Sequence, residues 1–304
     1  METINKITTS KQTTMYDHLC KMIIGNEEVL SRIIKAAVDE ANHLNVEEIR
    51  RLIKGVHIGD LIVNPHFHLV DKKGFIKDEG MVYYDILCYI DVPQEDGKNI
   101  RVYLNVEIQN NPYPGYSIIT RGYAYVSRIV SEQWGSEYDD KNYDGMKKVY
   151  SLWIMPKAPK RKDGYMNVYE TNERIICGTT VEEKEIYDKG VILAIYLNKE
   201  HDELLTPLMV LLNNVLDYKG KQRIIEEYGL NTKKIESEVK DMCDLGKSIV
   251  LEARNEVKQI ERKEKNIAHV KKIMIGLQMS FKEAINLLEI PEKEVKEIEK
   301  YFQS

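Results

Sequence analysis

Two acids, Asp85 and Glu107, interrupt runs that otherwise read as apolar strands. The runs are MVYYDILCYIDV (81–92) and IRVYLNVEIQ (100–109). Between them PQEDGKN carries Asp96-Gly97, a dipeptide suited to tight turns, so the stretch predicts a β-hairpin. Side chains alternate faces along a strand. Ile86, Cys88 and Ile90 share one face of the first strand; Ile100, Val102, Leu104, Val106 and Ile108 share one face of the second. These are the expected buried sides. The opposite faces carry Tyr83, Asp85, Leu87, Tyr89 and Asp91, and Arg101, Tyr103, Asn105, Glu107 and Gln109. Asp85 and Glu107 are equidistant from Asp96, so a hairpin centred there makes them cross-strand neighbours with Cβ atoms about 5 Å apart. Like charges so placed call for a shared proton with a raised pKa or a hard divalent cation held by carboxylate oxygens. A slip of one residue would turn one acid to the other face, and an open face would leave both solvated.

The elements that must position this pair are legible around it. Residues 14–54 carry helical periodicity, with Leu19, Ile23 and Ile24 in one stripe and Val29, Ile33, Ile34, Ala37 and Val38 in another, after Gly25-Asn26. Residues 57–70 look extended around a Pro break. Residues 116–134 return to helix, with Ile118, Ile119, Val126, Ile129 and Val130 as apolar members. VYSLWIM (149–155) and VILAIYL (191–197) are short, nearly continuous apolar runs that suit buried strands of a mixed sheet. After residue 200 the pattern is wholly helical. It holds ELLTPLMVLLNNVL, a long charged helix over 233–265, and three short helices: NIAHVKKIMIG, SFKEAINLLEI and PEKEVKEIEKYF. Ser280 and Pro291 are start signals for the last two. The expected division is an α/β domain over 1–200 and an all-helical C-terminal region over 201–304.

Composition bounds the function classes. The 304 residues have a formal net charge of −5, which counts against a dedicated duplex-binding protein, although a local groove can be positive on an acidic chain. Cys20, Cys88, Cys177 and Cys243 are scattered without CxxC spacing, arguing against a structural zinc site or a disulfide framework. METINKITTSKQTT has no apolar segment of a signal peptide, and no run of about 18 apolar residues reads as a membrane span. The expectation is a soluble cytoplasmic protein. No GxxxxGKS or GxSxG pattern supports an ATPase or serine hydrolase.

The order helix, extended segment, hairpin bearing D then ExQ, helix, strand resembles the PD-(D/E)XK nuclease superfamily, and more narrowly the Rpn-type recombination-promoting nuclease and putative transposase family. The matching residues are YYDILCYI with Asp85, LNVEIQN with Glu107 and Gln109, and ITRGYAYVSRIVSEQ with Arg121 and Tyr125, followed by YDGMKKVYSLWIM. The match covers roughly residues 15–200, and the helical tail also looks like the family's C-terminal region. The resemblance implies a restriction-endonuclease-like core, a mixed central sheet flanked by helices. It implies Mg²⁺-dependent DNA phosphodiester hydrolysis, Mn²⁺ being a possible substitute. Asp85 and Glu107 would hold the metal with the Ile108 carbonyl. Glu28 is the first choice for a contributing first-helix acid, with Glu27 and Glu40 as rivals. The chain departs from the superfamily pattern at Gln109, where an amide replaces the usual lysine and supplies neither positive charge nor a general base but can orient a water or hold a phosphate as a supporting site residue, and at Tyr84, where Pro is usual. Arg121 is a candidate replacement cation that clamps phosphate oxygens, or else a surface ion pair. Tyr125, one turn later, either bonds a site group or packs between helix and sheet.

Weaker signals point elsewhere. His66 and His68, with His57 nearby, have the spacing of a transition-metal site or of a solvated strand face. His201 sits at an element boundary. Lys157, Lys160, Arg161 and Lys162 in KAPKRKDG form a loop that would track a phosphate backbone or lie solvated. The C-terminal helices have helix-turn-helix lengths, but the last is Glu-rich where a recognition helix is usually basic. They suit a homodimer or partner surface equally well. The competing functions are a catalytically degenerate binding or regulatory module in a mobile-element or phage-defence setting, and a glycoside hydrolase using the acid pair. Two Trp residues give the latter little to line a sugar cleft.

Overall fold

The computed structural model describes residues 14–62, 83–111, 113–197, 205–212, 218–230 and 233–302. Two breaks in the N-terminal periodicity produce three helices: α1 (14–24), α2 (Glu27–Ala37) and α3 (Val46–Leu52). Asn26 caps α2 by accepting from the Glu28 amide, and Glu27, Glu28 and Lys35 suit its dipole. Asn45 and Glu48 form a capping box on α3. The stripes read from sequence are the buried faces: Leu19, Ile23, Ile24, Val29, Ile33, Ile34, Ala37 and Val38 are all inside.

Six strands follow: β1 (Ile53–Ile62), β2 (Tyr83–Pro93), β3 (Asn99–Ile108), β4 (Lys148–Met155), β5 (Met166–Tyr169) and β6 (Gly190–Tyr196). They form one mixed sheet in the order β1-β2-β3-β4-β6-β5. The β1–β2, β2–β3 and β5–β6 pairs are antiparallel, whereas β3, β4 and β6 run parallel. The hairpin register matches the sequence expectation, running from Pro93↔Asn99 to Ile86↔Val106. Gly97 adopts φ +77° in the turn, where a side chain would be strained.

Helix α4 (Ile118–Glu132), capped by Ser117, is the crossover from β3 to β4. Its Tyr125, Val126 and Ile129 pack with Leu87, Tyr103, Val149, Trp153 and Ile192. The hairpin is therefore buried on both faces. Leu87, Tyr103 and Asn105 are inside, not only the face expected from alternation, because the crossover helix covers the other one. The opposite sheet face meets the N-terminal segment, where the Tyr150 hydroxyl donates to Glu40 at 2.7 Å. Strand β5 and the short α5 (Lys184–Tyr187) occupy the stretch between β4 and β6 that the sequence presented only as polar.

The chain divides into two compact units, Met1–Cys243 and Asp244–Ser304, whereas the shift in composition lies near residue 200. Helices α6 (Thr206–Leu211) and α7 (Tyr218–Glu227) belong with the sheet. Tyr16 of α1 donates to the Leu212 carbonyl at 2.9 Å, and the buried Lys221 donates to the Leu211 carbonyl at 2.7 Å. Helix α8 (Lys233–Gly276) is longer than expected. NIAHVKKIMIG is its continuation rather than a separate helix: no Gly or Pro interrupts the chain near residue 265, and Asn266 lies inside the helix instead of capping a new one. The second unit is completed by α9 (Phe281–Leu287) and α10 (Glu292–Phe302). Ser280 caps α9 through a capping box with Glu283, and Val270, Ala284, Ile285 and Ile298 form the core of this unit. Among the described residues no helix is long and apolar enough to cross a membrane.

Close approach of α4 to the sheet rests on Gly122, where an added Cβ would lie 2.8 Å from Ile192 Cγ2 and 3.1 Å from Trp153 Nε1. Gly122→Ala is expected to destabilise the protein by about 1–3 kcal/mol through overpacking. The denaturant midpoint measures this; an unchanged midpoint would show that α4 lifts from the sheet at no cost.

Candidate functional site

The Asp85–Glu107 pair closes the end of the hairpin with side chains instead of ladder bonds. Past Ile86↔Val106, the Asp85 amide donates to Glu107 Oε1 at 3.1 Å, and the Ile108 amide donates to Asp85 Oδ2 at 2.8 Å. Each carboxylate thus accepts a backbone N–H from the facing strand. Tyr84 and Leu87 both join the cluster under α4, which strict alternation forbids, so β2 is irregular here. The Asp85 carboxylate is thereby free to meet α1, where Lys21 Nζ lies 2.8 Å from Oδ1.

Glu107 is 4% exposed. Its pKa is raised well above the usual carboxylate range, first by burial and then by the neighbouring Asp85 charge; the Asp85 amide, Arg121 and Lys21 oppose the rise. Arg121, on the first turn of α4, donates to the hydroxyls of Tyr116 and Tyr125, both at 2.7 Å. Its guanidinium carbon lies 5.1 Å from the ring centroids of Tyr125 and Trp153 and 5.6 Å from that of Tyr116. Trp153 pairs with Glu107 across the parallel β3–β4 ladder, which brings this cationic, aromatic corner beside the buried acid. Among the described residues no carboxylate lies within ion-pair distance of Arg121. Tyr125 is buried against Tyr84 and Trp153, the packing between helix and sheet that the sequence offered as one of two roles, and its hydroxyl accepts from Arg121.

Two residues that sequence reasoning missed, Asp17 and Lys21 of α1, join the site together with Lys157 of the basic loop. Asp17 of α1 accepts from the Asn110 side chain. Its pKa is raised by burial and by Asp85, against the lowering effects of Asn110, Lys21 and Lys157. Lys21, one helical turn beyond Asp17, neutralises Asp85. The signal was present as an i,i+4 Asp–Lys pair on α1, but such pairs are common on helix surfaces. Lys157, from the basic loop after β4, lies over the Tyr16 ring at 6.0 Å. Since β3 and β4 are parallel, Glu107, Asn110 and Lys157 all lie at their carboxyl ends, where open α/β sheets commonly bind ligands.

Other expected members are elsewhere. Gln109 does not turn toward the pair: its side-chain amide donates to the Asn111 carbonyl at 2.7 Å. Glu28 is bound to Arg50, and no contact joins it to Asp85 or Glu107. Glu27 is exposed, and Glu40 binds Lys148 and Tyr150. His57 Nε2 is buried without a hydrogen-bond partner. His66, His68 and His201 lie outside the described residues. Among the described residues no group of three His, Cys, Asp or Glu side chains converges as a metal site. A divalent cation at the pair would rely on two carboxylates and a main-chain carbonyl, a donor set compatible with Mg²⁺ when water and phosphate complete the shell. It would have to replace Lys21 on Asp85.

The chain matches no family model, no curated protein and no solved structure.

A half-buried acid on the helix that covers the site provides a pH test. Glu132 at the end of α4 is pushed by burial from 4.5 to about 7, against the lowering effects of Arg128 and Tyr84. The folded state binds this proton more tightly than the unfolded chain, so the stabilisation is complete below the ordinary carboxylate value and is lost as pH rises through the folded pKa. Glu132→Gln is expected to flatten the fall in unfolding free energy between pH 4.5 and about 7. An unchanged slope would place that proton on another group.

Proposed function

We propose that the chain is a metal-dependent endodeoxyribonuclease of the PD-(D/E)XK type, with a restriction-endonuclease-like α/β unit and an Rpn-type D…ExQ site. The observation that carries this reading is the interlocked Asp85–Glu107 pair at the carboxyl end of the parallel strands, with a buried acid on one strand, a partly exposed acid on the next and cations on both sides. Asp85, Glu107 and the Ile108 carbonyl would hold Mg²⁺ or Mn²⁺. The ion would supply an activated water and charge stabilisation on the phosphate.

The chain's own residues do the remaining work. The Asp85 and Ile108 amides fix the two carboxylates. Lys21 offers the ammonium that Gln109 cannot, from a different element, and released from Asp85 it can hold a phosphate oxygen or orient a water. Arg121, kept in place by two tyrosine hydroxyls, is placed to clamp phosphate oxygens. DNA is the proposed partner. A homodimer through the helical C-terminal region is part of the same proposal, supported by the exposed Leu251, Val257 and Ile260 of α8.

One observation favours a second reading, a degenerate nuclease fold that binds without cutting: Lys21 and the Ile108 amide already satisfy both oxygens of Asp85. Cleavage of supercoiled plasmid and single-stranded circular DNA with Mg²⁺ or Mn²⁺ separates the two. The nuclease reading expects metal-dependent cutting that Asp85→Asn and Glu107→Gln each reduce by more than about 100-fold, since even outer-shell partners of a metal are worth about 10–100-fold. Lys21→Met is expected to lower the rate while raising affinity for Mg²⁺, measured by calorimetry, because the carboxylates lose their fixed counter-charge. Gln109→Ala should change little. Folded wild-type protein that cuts neither substrate would leave the binding module as the better account.

A further inference from the structure

Resting on the nucleic-acid reading of this site, we infer that its substrate is an unpaired strand, whose bases stack on Tyr113 and Tyr116 while Arg121 and Lys157 meet its backbone. The segment from Asn111 to Ser117 leads directly from the Glu107 strand into α4. It presents two tyrosine rings to solvent, Tyr113 at 68% and Tyr116 at 52% exposure. Exposed aromatic faces beside a catalytic carboxylate offer an apolar surface to a flat ligand.

The Tyr116 ring is anchored through its hydroxyl, and the backbone at Tyr113 is pinned by a side chain of the same turn. The Tyr113 amide donates to Asn111 Oδ1 at 3.0 Å, and the Tyr116 hydroxyl accepts from Arg121 Nη1 at 2.7 Å. Gly115 supplies the positive φ, +92°, that turns the segment between them. A platform fixed in this way loses little freedom when a base settles on it. The Tyr116 ring also lies against the Arg121 guanidinium, so a stacked base continues a pile of tyrosine, cation and tryptophan. Two further cations lie at the carboxyl ends of the parallel strands. Lys157 follows β4, and Lys162 donates to the Tyr196 hydroxyl at the end of β6 at 2.9 Å.

Aromatic platforms beside a positive track are how proteins hold single strands. A duplex keeps its base faces stacked internally and is held mainly through phosphate charge. The net charge of −5 gives a duplex little general attraction, whereas local stacking needs none.

The test is fluorescence anisotropy on the full-length protein in EDTA, which keeps any metal-dependent cutting silent. The probes are labelled oligo(dT), the same strand as a duplex with oligo(dA), and an abasic strand of equal length. Oligo(dT) is expected to bind most tightly. Tyr113→Ala and Tyr116→Ala should each weaken its binding by about 5- to 150-fold, whereas Tyr113→Phe, which keeps the ring, should bind near wild type. Tighter duplex binding, equal abasic binding, or alanine variants that bind oligo(dT) like wild type would each overturn the inference. Tyrosine-dependent strand binding without cleavage under Mg²⁺ or Mn²⁺ would refute hydrolysis and leave this inference standing. Cleavage that ignores both tyrosines would refute the inference alone.

Discussion

The burial of Glu107 beside a second acid is the constraint on which the rest of the unit turns. An isolated ionised carboxylate in a protein interior is costly, and a like charge on the adjacent strand adds to that cost. The structure answers with compensations drawn from four elements: the amide of Asp85, the amide of Ile108, the ammonium of Lys21 on α1 and the guanidinium of Arg121 on α4. A sheet that needed only stability would carry apolar residues here, as it does at Val106 next door and at Leu104 three positions away. The persistence of the acids against that cost is what gives the site chemical interest.

The compensations explain features of the fold that have no other evident purpose. The irregularity at Tyr84–Asp85 turns one carboxylate toward α1 while keeping its amide on Glu107. Gly122 lets α4 lie close enough to β4 and β6 for Arg121 to reach the face of Trp153. Trp153 in turn donates to Ser151, which also accepts from the buried Asn105. A polar thread therefore runs beneath the aromatic corner, and polar groups placed so deep rigidify their surroundings when satisfied.

On the proposed reading, the aromatic corner and the acid pair would serve different ends of a polyanionic ligand. Carboxylates beside a phosphate are tolerable only where cations intervene. Here the cations lie between the acids and solvent, Lys21 on one side and Arg121 on the other. Beyond Arg121 the surface becomes aromatic rather than basic. That sequence of acid, cation and ring, read outward from Glu107, runs from a buried carboxylate to exposed tyrosines within a single strand-to-helix connection.

Much of this was open to reading from the chain alone. The hairpin, its turn at Asp96-Gly97 and its register followed from alternation and turn chemistry, both local. So did α2, α4, β4, β6 and the Ser280 cap. The pairing of Asp85 with Glu107 needed only arithmetic on a local turn. What tertiary structure decided is non-local: which helix supplies the counter-charge, which face of the hairpin is covered, and where Gln109 points. Asp17 and Lys21 lie far from Glu107 in the chain, and nothing in their spacing distinguishes them from a solvated helix pair until α1 packs across β2. Glu28, by contrast, looked equally eligible and was taken by Arg50. Periodicity tells which side of an element is buried, but not which element arrives to bury it, because that depends on packing between segments the chain brings together only on folding.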